Sequence, residues 1–155
     1  MEYILLILLI LVLGAYITMR LVIKAKINQE KTEIINILNK YGTYYKENNL
    51  FEYKSNLYKV AFLVVKQEEE LIINNTYIFE KFYKTKNELL NVEYLNDDIF
   101  KTLVIVYPSN APIKRYINEN ELVFIDNIFV SDKYLLTQKY YLEELLQSGI
   151  DLWVF

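Results

Sequence analysis

The sequence has no histidine and no cysteine among its 155 residues. Those absences remove histidine acid–base catalysis, Ser-His-Asp and Cys-His nucleophiles, zinc–thiolate sites, histidine-ligated haem and cysteine-held iron–sulfur clusters. Glycine is scarce too: Gly14, Gly42 and Gly149 stand too far apart to build a phosphate-cradling loop or a dinucleotide fingerprint. A basic excess is also missing. With 17 basic against 20 acidic residues the net charge is −3, and the lysines are dispersed among acids, which is not the footprint of a nucleic-acid binder. The lack of a disulfide framework fits a reducing compartment.

What the chain does have is one long apolar run. Tyr3 to Ile23 reads YILLILLILVLGAYITMRLVI, with Arg20 as its only charge. A helix of this length spans about 31 Å at about 1.5 Å per residue, close to the roughly 30 Å of a bilayer's hydrocarbon core. Between Tyr3 and Met19 only Tyr3, Tyr16 and Thr18 carry a polar group, so the run has no polar face of the kind a soluble core helix shows. It opens Met1-Glu2 without a basic start, is long for an export signal, and Leu13-Gly14-Ala15 is a poor cleavage site, so it reads as an uncleaved single-pass signal-anchor covering 1–23. Arg20, one turn inside the boundary, is expected to snorkel toward the headgroups with its stem in lipid. Lys24, Lys26 and Lys31 follow the span, while only the amino group and Glu2 precede it. The positive-inside rule then places the rest of the chain in the cytoplasm.

Residues 24–50 read as an amphipathic linker helix. Ile27, Ile34, Leu38, Tyr41 and Tyr45 form one apolar stripe, and Glu30, Lys31, Glu33 and Lys40 lie off it. The stripe either docks on the chain's own domain or pairs with a partner; at about two and a half heptads it is short for a coiled coil. Gly42 marks a stop or kink, and residues 47–49 a loop.

Residues 51–155 read as one small α/β (α+β) domain, a mixed sheet covered by helices. The second half of Leu57–Val65 and all of Thr102–Tyr107 are apolar on both faces and suit buried central strands. Leu71–Tyr83 is expected to pair back on the first of these, with a break at Asn74-Asn75; a helix from Thr76 is the competing reading. Short helices are expected over 84–95 and from Ala111 to Ile117, the second started by Ser109-Asn110 and Pro112. Leu122–Val130 reads as a long strand or a hairpin closed at Asp126-Asn127, Asp132–Gln147 as a helix capped by Ser131 and stopped by Gly149, and Ile150–Phe155 as a last strand.

The remaining catalytic possibility is carboxylate chemistry with a hard cation. Asp97-Asp98, Asp126 and the triplet Glu52-Tyr53-Lys54 are candidates; the triplet is half of a restriction-endonuclease-like signature, but no Asp stands upstream of Asp97 to complete it. The turn Tyr107-Pro108-Ser109-Asn110, with Lys114 and Arg115 nearby, is placed for an anion at a helix start, although simple capping suffices. The leading expectation is a membrane-anchored, non-catalytic, protein-binding subunit or accessory factor without a cofactor, able to self-associate through its stripe. An extracytoplasmic envelope or secretion component and a membrane-tethered metal-dependent hydrolase are the alternatives.

Overall fold

The computed structural model describes residues 2–118, 121–125, 128–149 and 152. In chain order the elements are α1 (Glu2–Tyr41), β1 (Thr43–Tyr45), β2 (Leu50–Tyr53), β3 (Asn56–Val65), β4 (Glu70–Ile73), β5 (Ile78–Tyr83), β6 (Lys86–Asn91), a 3-10 turn (Glu93–Leu95), β7 (Lys101–Pro108), β8 (Ile113–Asn118), β9 (Glu121–Ile125), β10 (Ile128–Val130), β11 (Tyr134–Gln138) and α2 (Lys139–Gln147).

The two runs that are apolar on both faces lie side by side as β3 and β7, parallel, with Val60 opposite Leu103 and Phe62 opposite Ile105. Burial on both faces is what parallel strands require, and both faces are covered. Tyr58 and Val60 of β3 and Leu103, Ile105 and Tyr107 of β7 pack toward Ile34 and Leu38 of α1 and Leu142, Leu145 and Leu146 of α2. Leu63, Val65, Val104 and Val106 point the other way, into a second cluster with Leu71, Ile73, Phe79 and Ile113. The result is three layers: two helices, a six-stranded mixed sheet ordered β1-β2-β3-β7-β11-β10, and a five-stranded sheet ordered β6-β5-β4-β8-β9. The α+β class with a mixed sheet and a C-terminal helix is therefore present.

Several local expectations are corrected. β4 and β5 break near Asn74-Asn75, but they pair with each other and build the second sheet instead of returning to β3. No helix starts at Thr76. Residues 84–95 form the second arm of a hairpin, turning at Lys84 with φ 52°, followed by the 3-10 turn. The segment expected to be helical up to Ile117 is strand β8, parallel to β4. Leu122–Val130 is neither one strand nor a hairpin: β9 ends one sheet and β10 ends the other. The C-terminal helix begins at Lys139, because Tyr134–Gln138 is a fully buried strand parallel to β7. Asp126-Asn127 and, apart from a buried Leu152 in a turn, the expected strand Ile150–Phe155 lie outside the described residues.

α1 stops at Tyr41, so β1 already belongs to the sheet and the 24–50 segment is not helical throughout. Gly42 makes the passage from helix to sheet. Its N–H donates to Leu38 O at 2.9 Å, and a Cβ there would lie 2.2 Å from Glu52 O and 2.7 Å from the Phe51 ring. The requirement is close approach, not an unusual φ.

Candidate functional site

α1 changes character along its length. Tyr3, Ile4 and residues 6–26 are exposed, whereas Ile34 and Leu38 are 0% exposed. Among the described residues, one helix is long and apolar enough to cross a membrane, and its apolar part is unburied. Leu13 and Ile23 belong to that bare surface. Thr18 Oγ1 donates to Gly14 O at 2.6 Å, the bond one turn back that a helical threonine hydroxyl makes. Arg20 is bonded within the helix. Its Nε and Nη2 donate to Tyr16 Oη at 3.0 and 2.7 Å, because helical side chains lean toward the N-terminus and the guanidinium folds back one turn.

Beyond residue 26 the helix becomes part of the domain. Ile34 and Leu38 lie within the helix-side core, and Ile27 and Tyr41 pack against it half-buried; Tyr45 is not on the helix but on the edge strand β1. The polar residues flanking this face reach the domain as well. Lys139 at the start of α2 donates to both Glu30 and Glu33, and Lys40 donates to Glu143 at 2.6 Å, with Tyr41 Oη adding a bond to the same carboxylate at 3.3 Å. Lys31 Nζ sits 4.4 Å from the centre of the Phe62 ring. The stripe is thus occupied within the chain.

Where the exposed and docked parts of α1 meet, a cleft of about 150 Å³ is lined by Ile23, Lys26, Ile27, Lys66, Gln67, Glu68 and Pro108. The β3–β4 loop and the end of β7 therefore lie directly beside the last residue of the apolar run.

The carboxylates do not converge. Asp97 Oδ2 accepts from Lys59 at 2.9 Å and its Oδ1 accepts the N–H groups of Ile99 and Phe100. Lys59, followed by those backbone bonds, holds the Asp97 carboxyl at about 2. Asp98 pairs with Lys133 at 3.3 Å. Glu52 accepts from the Tyr45 hydroxyl at 2.8 Å, whereas Lys54 bonds Gly149 O, so the Glu52–Lys54 triplet points its two charged groups apart. Among the described residues no three acidic side chains gather around one point. Asp126 lies outside them. The anion site at a helix start also has no helix: Ser109 Oγ accepts from Ala111 N at 3.2 Å, Lys114 pairs with Glu70 at 2.7 Å, and the Arg115 guanidinium lies 5.0 Å from the Phe129 ring centre.

A surface that sequence reading missed is the outer face of the second sheet. Cross-strand pairing sets Leu89, Glu80, Ile72, Lys114 and Phe124 in one row across all five strands. Leu89 and Phe124 at its two ends are 65% and 67% exposed, and Ile78, Phe82 and Leu122 stand beside them on the same face. The two-residue alternation Ile78-Glu80-Phe82 and Leu122-Phe124 carries this face in the sequence, but it emerges only once β5 and β9 are known to be strands. Comparison with protein-family models, with curated proteins and with solved structures finds no match.

Proposed function

We propose that the protein is a single-pass membrane protein whose α/β domain lies at the cytoplasmic face and binds another protein without catalysing a reaction. The observation that carries the anchor is the contrast within α1: a helix that buries Ile34 and Leu38 completely leaves Tyr3, Ile4 and residues 6–23 exposed, with apolar side chains on every side and Arg20 as their one charge. Apolar side chains all round a helix suit hydrocarbon and not water. Lys24 and Lys26 after the span support the cytoplasmic side. Support for protein binding comes from the exposed apolar side chains at the two edges of the outer sheet face, Ile78, Phe82 and Leu89 on one side and Leu122 and Phe124 on the other, since exposed apolar side chains grouped on a small domain mark an interaction site.

Alkaline carbonate extraction tests the anchor, with the chain expected to stay in the pellet. Protease treatment of sealed cells and of inverted vesicles tests the side: the domain should be cut only in the inverted vesicles, and cutting in intact cells places it outside. A photo-crosslinking residue at Leu89 or Phe124 should give an adduct of defined mass in cells, with none from Tyr140, an exposed position on α2. Equal labelling at all three positions removes the outer face as the binding surface.

A further inference from the structure

The junction between α1 and the domain leaves no stalk. Ile23, the last residue of the apolar run, and Ile27, the first that packs on the core, line the same cleft with Lys66, Gln67, Glu68 and Pro108. Four residues of helix rise about 6 Å. The headgroup layer on each side of a bilayer is about 5–8 Å thick, so a domain that touches the helix this early lies within it.

The topology then says which part of the domain is there. β3 and β7 run parallel and end at Val65 and Pro108, beside the cleft. β4 leaves from that end, and the pairing of Glu70 with Phe82 and of Tyr83 with Lys86 puts the β5–β6 hairpin tip at the same end of the molecule. Exposed lysines collect here: Lys24 and Lys26 on α1, Lys66 in the loop, and Lys84 and Lys86 at the hairpin tip. In the loop Glu69 accepts from the Lys66 N–H at 2.8 Å and pairs with its ammonium at 3.4 Å, so those two charges offset each other, and Lys24, Lys26, Lys84 and Lys86 stand against the exposed Glu68 and Glu88. Asp97, Asp98 and Glu93 lie at the opposite end, before or below the start of β7. A chain of net charge −3 therefore turns a locally basic end toward the apolar half of its helix.

We propose that the Lys66–Glu68 loop and the Lys84–Lys86 hairpin tip rest in the headgroup layer of the bilayer that holds α1, and that this contact favours anionic lipid. The proposal rests on the membrane reading above. It gives the domain a fixed seat with one end on the lipid, in place of free rotation about a linker. Basic side chains this close to a surface gain attraction from anionic headgroups, and the gain is confined to about a Debye length.

The absence of cysteine makes the test direct. Full-length chains carrying Gln67→Cys, Thr85→Cys or Ile99→Cys are labelled with an environment-sensitive fluorophore and reconstituted in phosphatidylcholine vesicles with and without phosphatidylglycerol, using a quencher attached to lipid headgroups. Ile99, 82% exposed at the opposite end, is the reference. Labels at positions 67 and 85 should be quenched severalfold more than at 99, and quenching at 85 should rise with phosphatidylglycerol and lose that rise in Lys84→Gln/Lys86→Gln. Chains that float with the vesicles but show equal quenching at all three positions overturn the seating while leaving the anchor intact. Failure to float removes the anchor reading itself. Quenching at 67 and 85 that ignores phosphatidylglycerol overturns the preference for anionic lipid.

Discussion

Lys59 on β3 donates to Asp97 at 2.9 Å, tying the loop that precedes β7 to the neighbouring parallel strand at the start of their shared register. Lys59 and the Ile99 and Phe100 amides hold the Asp97 carboxyl at about 2, below its ordinary 3.8. The unfolded chain therefore takes up this proton at a higher pH than the folded one, so the contribution is complete above about pH 4 and is lost as pH falls toward 2. Urea midpoints of the segment Lys24–Phe155 should decline across that window. Asp97→Asn, which keeps an oxygen for the two amides, should show a lower midpoint at neutral pH and a shallower decline; equal slopes for both proteins remove Asp97 as the source.

Ile34 and Leu38 are wholly buried where α1 crosses the six-stranded sheet. Truncating either to alanine deletes buried methyl groups and leaves a cavity, so each substitution should cost about 2–5 kcal/mol. Asn36, exposed on the same helix, should change stability by less than about 0.5 kcal/mol when replaced by alanine. Because the partner surface is in the same chain, urea midpoints of Lys24–Phe155 should not depend on protein concentration. A concentration-dependent loss means that the stripe pairs between copies instead.

The parts of the fold legible in the sequence are those in which one period runs uninterrupted. The apolar run, its helical continuation past Lys24, and the two continuous apolar strands are of this kind. Tyr134–Gln138 was not, because Ser131 and Asp132 imitate a helix start while pairing with β7 decides the strand. Lys84–Asn91 has few β-branched or aromatic residues and becomes a strand through its partner β5. The charged residues were opaque for a similar reason. Glu33 reads as a solvated position off the stripe, yet its partner Lys139 is 106 residues away, and Asp97 meets Lys59 across 38. Pairings over such separations leave no local pattern.

Gly42 should tolerate no side chain. A methyl group would meet Glu52 O and the Phe51 ring well inside contact distance, and both belong to packed strand β2. Gly42→Ala should therefore cost about 1–3 kcal/mol, the usual range for overpacking. An unchanged urea midpoint means that β1 and β2 can shift to make room.

Orientation provides the last prediction, and the docked lysines narrow how to test it. Lys31 packs over the Phe62 ring and Lys40 is bonded to Glu143, so replacing either perturbs the domain as well as the charge balance across the span. Lys24 and Lys26 are exposed and have no such partner among the described residues, which makes them the residues to change. Lys24→Gln/Lys26→Gln, combined with lysines inserted after Met1, reverses the excess of positive charge beside the helix and should carry the domain to the other side. The measurement is protease protection in sealed inverted vesicles, where the reversed protein becomes resistant. If protection is unchanged while the protein still resists carbonate extraction, charge bias does not set the topology, and folding of the domain before insertion becomes the better account of its side.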